Sequence, residues 1–248
     1  MGVTVRGKKR RRKNWNLVES IFFIFLVLIT GFVLLNSPVF EVRTIQVRGN
    51  QFLDEERIRA VAGIGTGVNI FKADLKAASA GLRLVPMVKD VRITRSLPST
   101  VVIKIQERKP LALLPVKEGF IEVDSEGVYL RQSGAGTPGL PVITGVRGEM
   151  PEPGQPVRDE KLKHALSVVE GLPAEAVGNL SEVHVDEAGL IRIYTIDGVQ
   201  CRFGPATEIS EKGAVFLQVL KEVRSQGKKI HYIDLSCAGS PVVYYKQH

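Results

Sequence analysis

Four histidines, two cysteines and one close pair of carboxylates are the side chains whose types and spacing bear on catalysis in this chain of 248 residues. His164, His184, His231 and His248 show no metal-ligand spacing, because a helical zinc site needs a pattern such as H-E-x-x-H to bring two imidazoles onto one face. His164 falls on an expected helix and His184 and His231 on expected strands, where packed or solvated roles suffice. Cys201 and Cys237 are 36 positions apart, so no Cys-x-x-Cys redox pair exists. Asp124 and Glu126 flank a turn and could in principle share a proton-transfer role, but a solvated hairpin turn explains them better. Gly63-Ile64-Gly65-Thr66-Gly67 is rich enough in glycine for a phosphate loop, but it follows a helix rather than a strand and lacks the Lys-Ser/Thr that would complete one. It reads as a helix-to-helix turn. No Gly-x-Ser-x-Gly elbow occurs. These residues predict no catalytic, cofactor or metal site, and hence a protein that is not an enzyme.

The elements around these residues point instead to a membrane. Arg6, Lys8, Lys9, Arg10, Arg11, Arg12 and Lys13 precede an apolar run, with no acidic residue in the first sixteen positions. The formal net charge is +8, of which these seven supply all but +1, so the basic balance belongs to one tail and does not indicate a nucleic-acid partner. Leu17–Leu35 is 19 residues long, about 28 Å as a helix at about 1.5 Å per residue. A hydrocarbon core of about 30 Å is crossed by such a length with little tilt. Glu19 lies in the first turn and Trp15 at the expected interface. Lys/Arg-rich flanks stay cytoplasmic, so the expectation is a type II topology: tail 1–16 inside, span 17–35, and the bulk outside. A cleaved signal peptide is the alternative; the length of the run and the lack of a small-x-small site after it favour an uncleaved anchor.

Beyond the span two modules are expected, 40–107 and 108–248. In the first, Thr44–Arg48 reads as a strand, Asp54 caps a helix with Ile58, Val61 and Ala62 inward, and Gly63 ends it. A second helix would place Phe71, Leu75, Ala78 and Leu82 on one face. Val91 and Ile93 mark the next strand, and Val101, Ile103 and Ile105 alternate against a wet face of Val102, Lys104 and Gln106 in an antiparallel hairpin partner. The second module shows strands at 111–114, 120–123, 127–130 and 142–145, a helix at 158–170, strands at Leu180–Val185, 190–195 and 199–203, a helix from Ser210 to near Gly227, and strands at Ile230–Asp234 and Val242–Tyr245. Cys201 and Cys237 would pair only if their strands were neighbours; two small buried thiols is the simpler alternative.

The segments Ile45-Gln46-Val47-Arg48-Gly49-Asn50, Gly63-Ile64 with Gly67 and Asn69-Ile70-Phe71, and Pro86 through Val88, Val91, Ile93, Arg95, Leu97-Pro98 and Thr100-Val101 resemble the polypeptide-transport-associated (POTRA) domain of FtsQ/DivIB cell-division proteins. Glu107-Arg108-Lys109-Pro110-Leu111, Leu140-Pro141-Val142-Ile143-Thr144-Gly145, Phe203-Gly204 with Lys212, and Tyr232-Ile233-Asp234-Leu235 continue the resemblance in order. It implies an α+β protein: a single transmembrane helix, a POTRA-like β-α-α-β-β domain, and a mixed, mostly antiparallel β domain with flanking helices. It further implies a divisome scaffold without enzymatic activity, whose β domain binds FtsB/DivIC-like and FtsL-like proteins and so links them to septal peptidoglycan synthesis. Other divisome components would meet the POTRA-like domain. Carried onto this chain, the partner-binding candidates are Lys212, Phe216, Ile233, Val242, Val243, Tyr244 and Tyr245. A final strand at a sheet edge would leave backbone groups open for strand addition, although the two tyrosines could instead simply cap the core. Two other classes stay open, an envelope protein-assembly or secretion factor using its POTRA domain, and an anchored cell-wall enzyme with an unrecognised site.

Overall fold

The computed structural model describes residues 15–134, 137–148, 150–226, 230–237 and 240–245, with side chains from Leu17 onward. The basic cluster from Arg6 to Lys13, the Trp15 side chain, Gly227 and His248 lie outside the described residues. Helix α1 runs Trp15–Leu35. Its stretch Leu17–Leu35 has a mean hydropathy of 2.6 and none of it is buried by the rest of the chain, so it is long and apolar enough to cross a membrane. Ser37 caps a short 3-10 turn, Pro38–Phe40, that leads directly into the first module.

That module runs β1 (Thr44–Arg48), α2 (Glu55–Ala62), α3 (Leu75–Arg83), β2 (Val88–Ser96) and β3 (Thr100–Glu107). The sheet order is β1-β3-β2. β3 is central, parallel to β1 through Ile45↔Val101 and Val47↔Ile103, and antiparallel to β2 through Val91↔Ile105 and Ile93↔Ile103. Ile58, Ala62, Ala78 and Leu82 of the two helices close over Ile45, Val91, Val101, Ile103 and Ile105. Burying an aliphatic side chain of this kind stabilises by about 1.5–3 kcal/mol. Four expectations change here. Asp54 stands at the start of α2 without a side-chain capping hydrogen bond. Val61, expected inward on α2, is 38% exposed, lying beside Gly81 of α3. Phe71 is not on α3: the Asp74 carboxylate accepts the Lys76 and Ala77 N–H groups and starts the helix later, leaving Phe71 half exposed with its ring 5.3 Å from that of Phe40. Val102, expected on the wet face, is buried between Gln46 and Thr94 because its strand is flanked on both sides. Gly49, at φ +89°, ends β1 where any Cβ would collide with the Ile105 carbonyl.

The second module comprises β4 (Ala112–Val116), β5 (Gly119–Val123), β6 (Tyr129–Ser133), β7 (Val142–Thr144), α4 (Glu160–Gly171), α5 (Ala174–Val177), β8 (Leu180–Val185), β9 (Ile191–Thr195), β10 (Gln200–Gly204), α6 (Ile209–Gln226), β11 (Ile230–Asp234) and β12 (Val242–Tyr245). They form one nine-stranded sheet in the order β12-β11-β10-β9-β8-β7-β4-β5-β6. The β4–β7, β7–β8 and β10–β11 pairs are parallel and the rest antiparallel. Helices α4 and α6 cover one face, where Leu162, Leu166, Phe216 and Leu220 pack over Ile143, Val183, Ile193, Phe203 and Ile233. Asp159 caps α4; burial opposes its charge, but N–H groups of Arg147, Leu162 and Lys161 hold its pKa below the ordinary carboxylate value. The strand expected at 127–130 begins later, at Tyr129. The Asp124 carboxylate accepts the Glu126 and Val128 N–H groups, and Gly127 turns at φ +74°.

The modules meet in a small cluster of Met87, Val128 and Leu130 flanked by Leu53 and Val85. Beside it the Arg108 guanidinium lies 2.6 Å from Asp124 and 2.7 Å from Glu126, and Lys89 lies 2.7 Å from Glu126.

Candidate partner-binding edge

β12 is an edge strand. Among the described residues it pairs only with β11, through Ile230↔Tyr245, Tyr232↔Tyr244, Ile233↔Val243 and Asp234↔Val242, with a register shift at His231. Alternation explains what each residue does. Val243 points inward and packs against the main core beside the fully buried Ile233. Val242 and Tyr244 lie on the opposite, helix-free face, 45% and 46% exposed, and Tyr245 is 46% exposed.

Three strands contribute to a stack on this face. The Tyr244 ring lies 4.3 Å from that of Tyr232 at an interplanar angle of 22°, and the Arg202 guanidinium of β10 sits 4.1 Å from the centre of the Tyr232 ring. Desolvation and a hydrogen bond with Tyr244 push the Tyr232 phenol above its ordinary pKa. Asp234 lies 3.9 Å from Arg202, next to it in the parallel β10–β11 register. A cleft of about 320 Å³, lined in part by Arg192, Gln200, Arg202 and Ser236, opens beside the stack.

The sequence candidates therefore divide. Val242, Val243, Tyr244 and Tyr245 are brought together on the edge. Lys212, Phe216 and Ile233 have no exposed surface, so in this fold they support the edge and cannot touch a partner. Lys212 points inward because it shares a helix face with Phe216, four residues on. Its ammonium donates to the Phe203 and Pro205 carbonyls at 3.2 and 3.3 Å, over the Phe203 ring. Tyr232 and Arg202 are the residues that sequence reasoning missed as candidates. Their signal was parity: each alternates with a buried neighbour, Ile233 or Cys201, which assigns it to the open face.

The residues considered for chemistry are occupied otherwise. Asp124 and Glu126 are tied to Arg108, and hydrogen bonds from Arg108 and Lys89 lower Glu126 to about 2, leaving it ionised and a poor proton donor. The Thr144 hydroxyl is 2.6 Å from Glu182 and 2.7 Å from His184 Nδ1; with its proton given to the carboxylate, it accepts from the imidazole rather than yielding to it as a base. His164 is exposed on α4, and His231 is exposed with its ring 5.4 Å from that of Tyr232. Cys201 and Cys237 are unpaired, the first buried and the second exposed, so only one matches the expectation of buried thiols. Burial pushes the Cys201 thiol up. Among the described residues no group of three or more His, Cys, Asp or Glu could hold a metal ion.

Comparison with known proteins assigns the architecture. The family model described as POTRA domain, FtsQ-type, matches residues 40–108, and that described as cell division protein FtsQ/DivIB, C-terminal, matches 112–236. Cell division protein DivIB of Clostridium botulinum (strain Loch Maree / Type A3) is 26% identical over 249 residues, 98% of this chain and 96% of that protein. Cell division protein FtsQ of Syntrophotalea carbinolica is 28% identical over 82% of this chain and 73% of its own length; FtsQ of Corynebacterium glutamicum is 29% identical over 80% and 86%. The solved extracytoplasmic domain of DivIB from Geobacillus stearothermophilus is a distant match, with 18% identity, 48% of this chain, 97% of that chain and a TM-score of 0.36. With the two family models following one another along the three-stranded and nine-stranded sheets, the chain belongs to the FtsQ/DivIB family of cell-division proteins.

Proposed function

We propose that this protein is a single-span division scaffold. Its basic tail stays in the cytoplasm, its two modules work outside the membrane at the septum, and β12 receives a segment of an FtsB/DivIC-like or FtsL-like partner as an added strand. Its work is binding, and the septal peptidoglycan chemistry belongs to enzymes that the assembly recruits. The observation that carries this reading is the position of β12, at the end of a nine-stranded sheet with no further strand beyond it among the described residues, and with Val242 and Tyr244 exposed. Tyrosines at such an edge supply apolar area with a polar tip, a combination suited to an interface.

The N–H groups of adjacent strand residues point to opposite sides, so proline at Val242 and at Val243 removes a donor toward β11 in one variant and toward the incoming strand in the other. Full-length Val242→Pro and Val243→Pro should be compared for co-purification with the partner ectodomains, with circular dichroism reporting the fold. The variant that loses the outward donor should stay folded and lose the partner. Undiminished capture by both folded variants would refute strand addition.

A further inference from the structure

The outer end of α1 is held directly against the first module. The Asn69 side-chain amide donates to the Leu35 carbonyl at 2.7 Å, and only Asn36 and Ser37 separate Leu35 from the 3-10 turn. The Val42 N–H bonds the Val68 carbonyl and the Ile70 N–H the Phe40 carbonyl, so the 67–71 loop lies along the segment that leaves the helix. Arg95 fixes that loop by donating to the Ile70 and Ala73 carbonyls at 2.7 and 2.9 Å. The tip of the β2–β3 hairpin is at the same end, since the Arg43 N–H bonds the Ser99 carbonyl at 2.8 Å.

This end is apolar where solvent would favour polar residues. Val39, Val68, Phe71 and Leu97 are 51%, 43%, 43% and 58% exposed. Arg43 and Lys72 are exposed among them, while Glu41 is half-buried with its backbone in a β-bridge to Asn69, and the Asp74 carboxylate caps α3. The headgroup layer adds about 5–8 Å to each side of a hydrocarbon core of about 30 Å. A loop bonded to the last apolar residue of a span sits at that depth.

We propose that the first module docks on the bilayer surface, with Val39, Val68, Phe71 and Leu97 entering the headgroup–acyl boundary and Arg43 and Lys72 meeting lipid phosphates. The occupant is lipid because the patch is continuous with the apolar surface of α1 itself. Apolar tips flanked by cations suit an interfacial contact. The proposal rests on the anchored reading above and adds to it: the module is fixed in height and tilt rather than swinging from a tether.

The test uses the full-length chain with Cys237→Ser, reconstituted in vesicles of phosphatidylethanolamine and phosphatidylglycerol and spin-labelled at Val68→Cys or Leu97→Cys. Phe25→Cys in the span and Lys117→Cys in the exposed β4–β5 turn give the lipid and water references. Relaxation by oxygen, which partitions into lipid, should exceed relaxation by an aqueous nickel chelate at 68 and 97, between the two references. Labels at both positions that behave like 117 while 25 behaves as lipid would overturn the docking alone. A label at 25 that behaves like 117 would overturn the anchor, and the docking with it.

Discussion

Tyr244→Ala isolates what holds the candidate edge in place. β12 has four residues and one neighbouring strand, so ordering its backbone costs about 4–8 kcal/mol at about 1–2 kcal/mol per residue. Backbone hydrogen bonds return about 1 kcal/mol each, and the half-buried Val243 adds apolar burial. The sum is close to balance, which makes the Tyr232–Tyr244 stack decisive. Tyr244 is 46% exposed, so it loses rather more than half of an aromatic side chain's surface to the fold, on the order of 100 Å², or about 2.5 kcal/mol at about 25 cal/mol per Å². Stacking adds about 0.5–1.5 kcal/mol, and residual burial in the unfolded chain subtracts a comparable amount. A net loss of about 2.5 kcal/mol should open β12 about 70-fold more often. Hydrogen exchange by mass spectrometry on the full-length protein should therefore show faster exchange confined to 242–245 and the adjoining side of β11. Amides of α4 should be unaffected, and Tyr244→Phe should retain most of the protection. Unchanged exchange in β12 would refute the assignment of the stack as its fastening, and faster exchange extending through α4 would show that the tyrosine supports the whole module.

Lys212→Ala should lower the unfolding free energy by about 2–4 kcal/mol, since it leaves two carbonyls without a donor and empties a fully buried stem site; affinity per folded molecule should not change, as binding measured beside urea unfolding will test. Arg108→Ala strips the partner from Asp124, whose side chain is 5% exposed. A cost of about 2 kcal/mol, between the values for surface and buried pairs, should appear in urea unfolding together with faster proteolysis near 108–111. Glu126 is lowered to about 2 from an ordinary 4.5, so its contribution is complete above pH 4.5 and is lost as pH falls toward 2; unfolding midpoints across that window should fall less steeply in Glu126→Gln.

Local periodicity made most elements legible. Val101, Ile103 and Ile105 announce β3, and Leu162, Leu166 and Val169 announce the buried face of α4. Pairing was not legible, because nothing in 142–144 says that β7 lies between β4 and β8, parallel to both. The edge position of β12 follows from its place in the strand order, whereas its attachment depends on a register that sets Tyr244 directly opposite Tyr232 of the preceding strand. Lys212 illustrates a conflict between residue type and position. Lysine suggests solvent, but spacing of four and eight residues from Phe216 and Leu220 places it on the apolar face, and spacing wins because nearby carbonyls accept its ammonium. The start of α3 was missed because the apolar period runs on through Phe71, while the Asp74 cap, a polar detail, decides where the helix begins.

The parallel union of β10 and β11 has a temporal consequence. Two parallel neighbours cannot be joined by a tight turn, and here the 18 residues of α6 make the crossing. The terminal hairpin can thus seat only after that helix has settled, a long-range closure that comes late in folding. In the scaffold proposed above, the edge offered to partners would thus be among the last parts to mature.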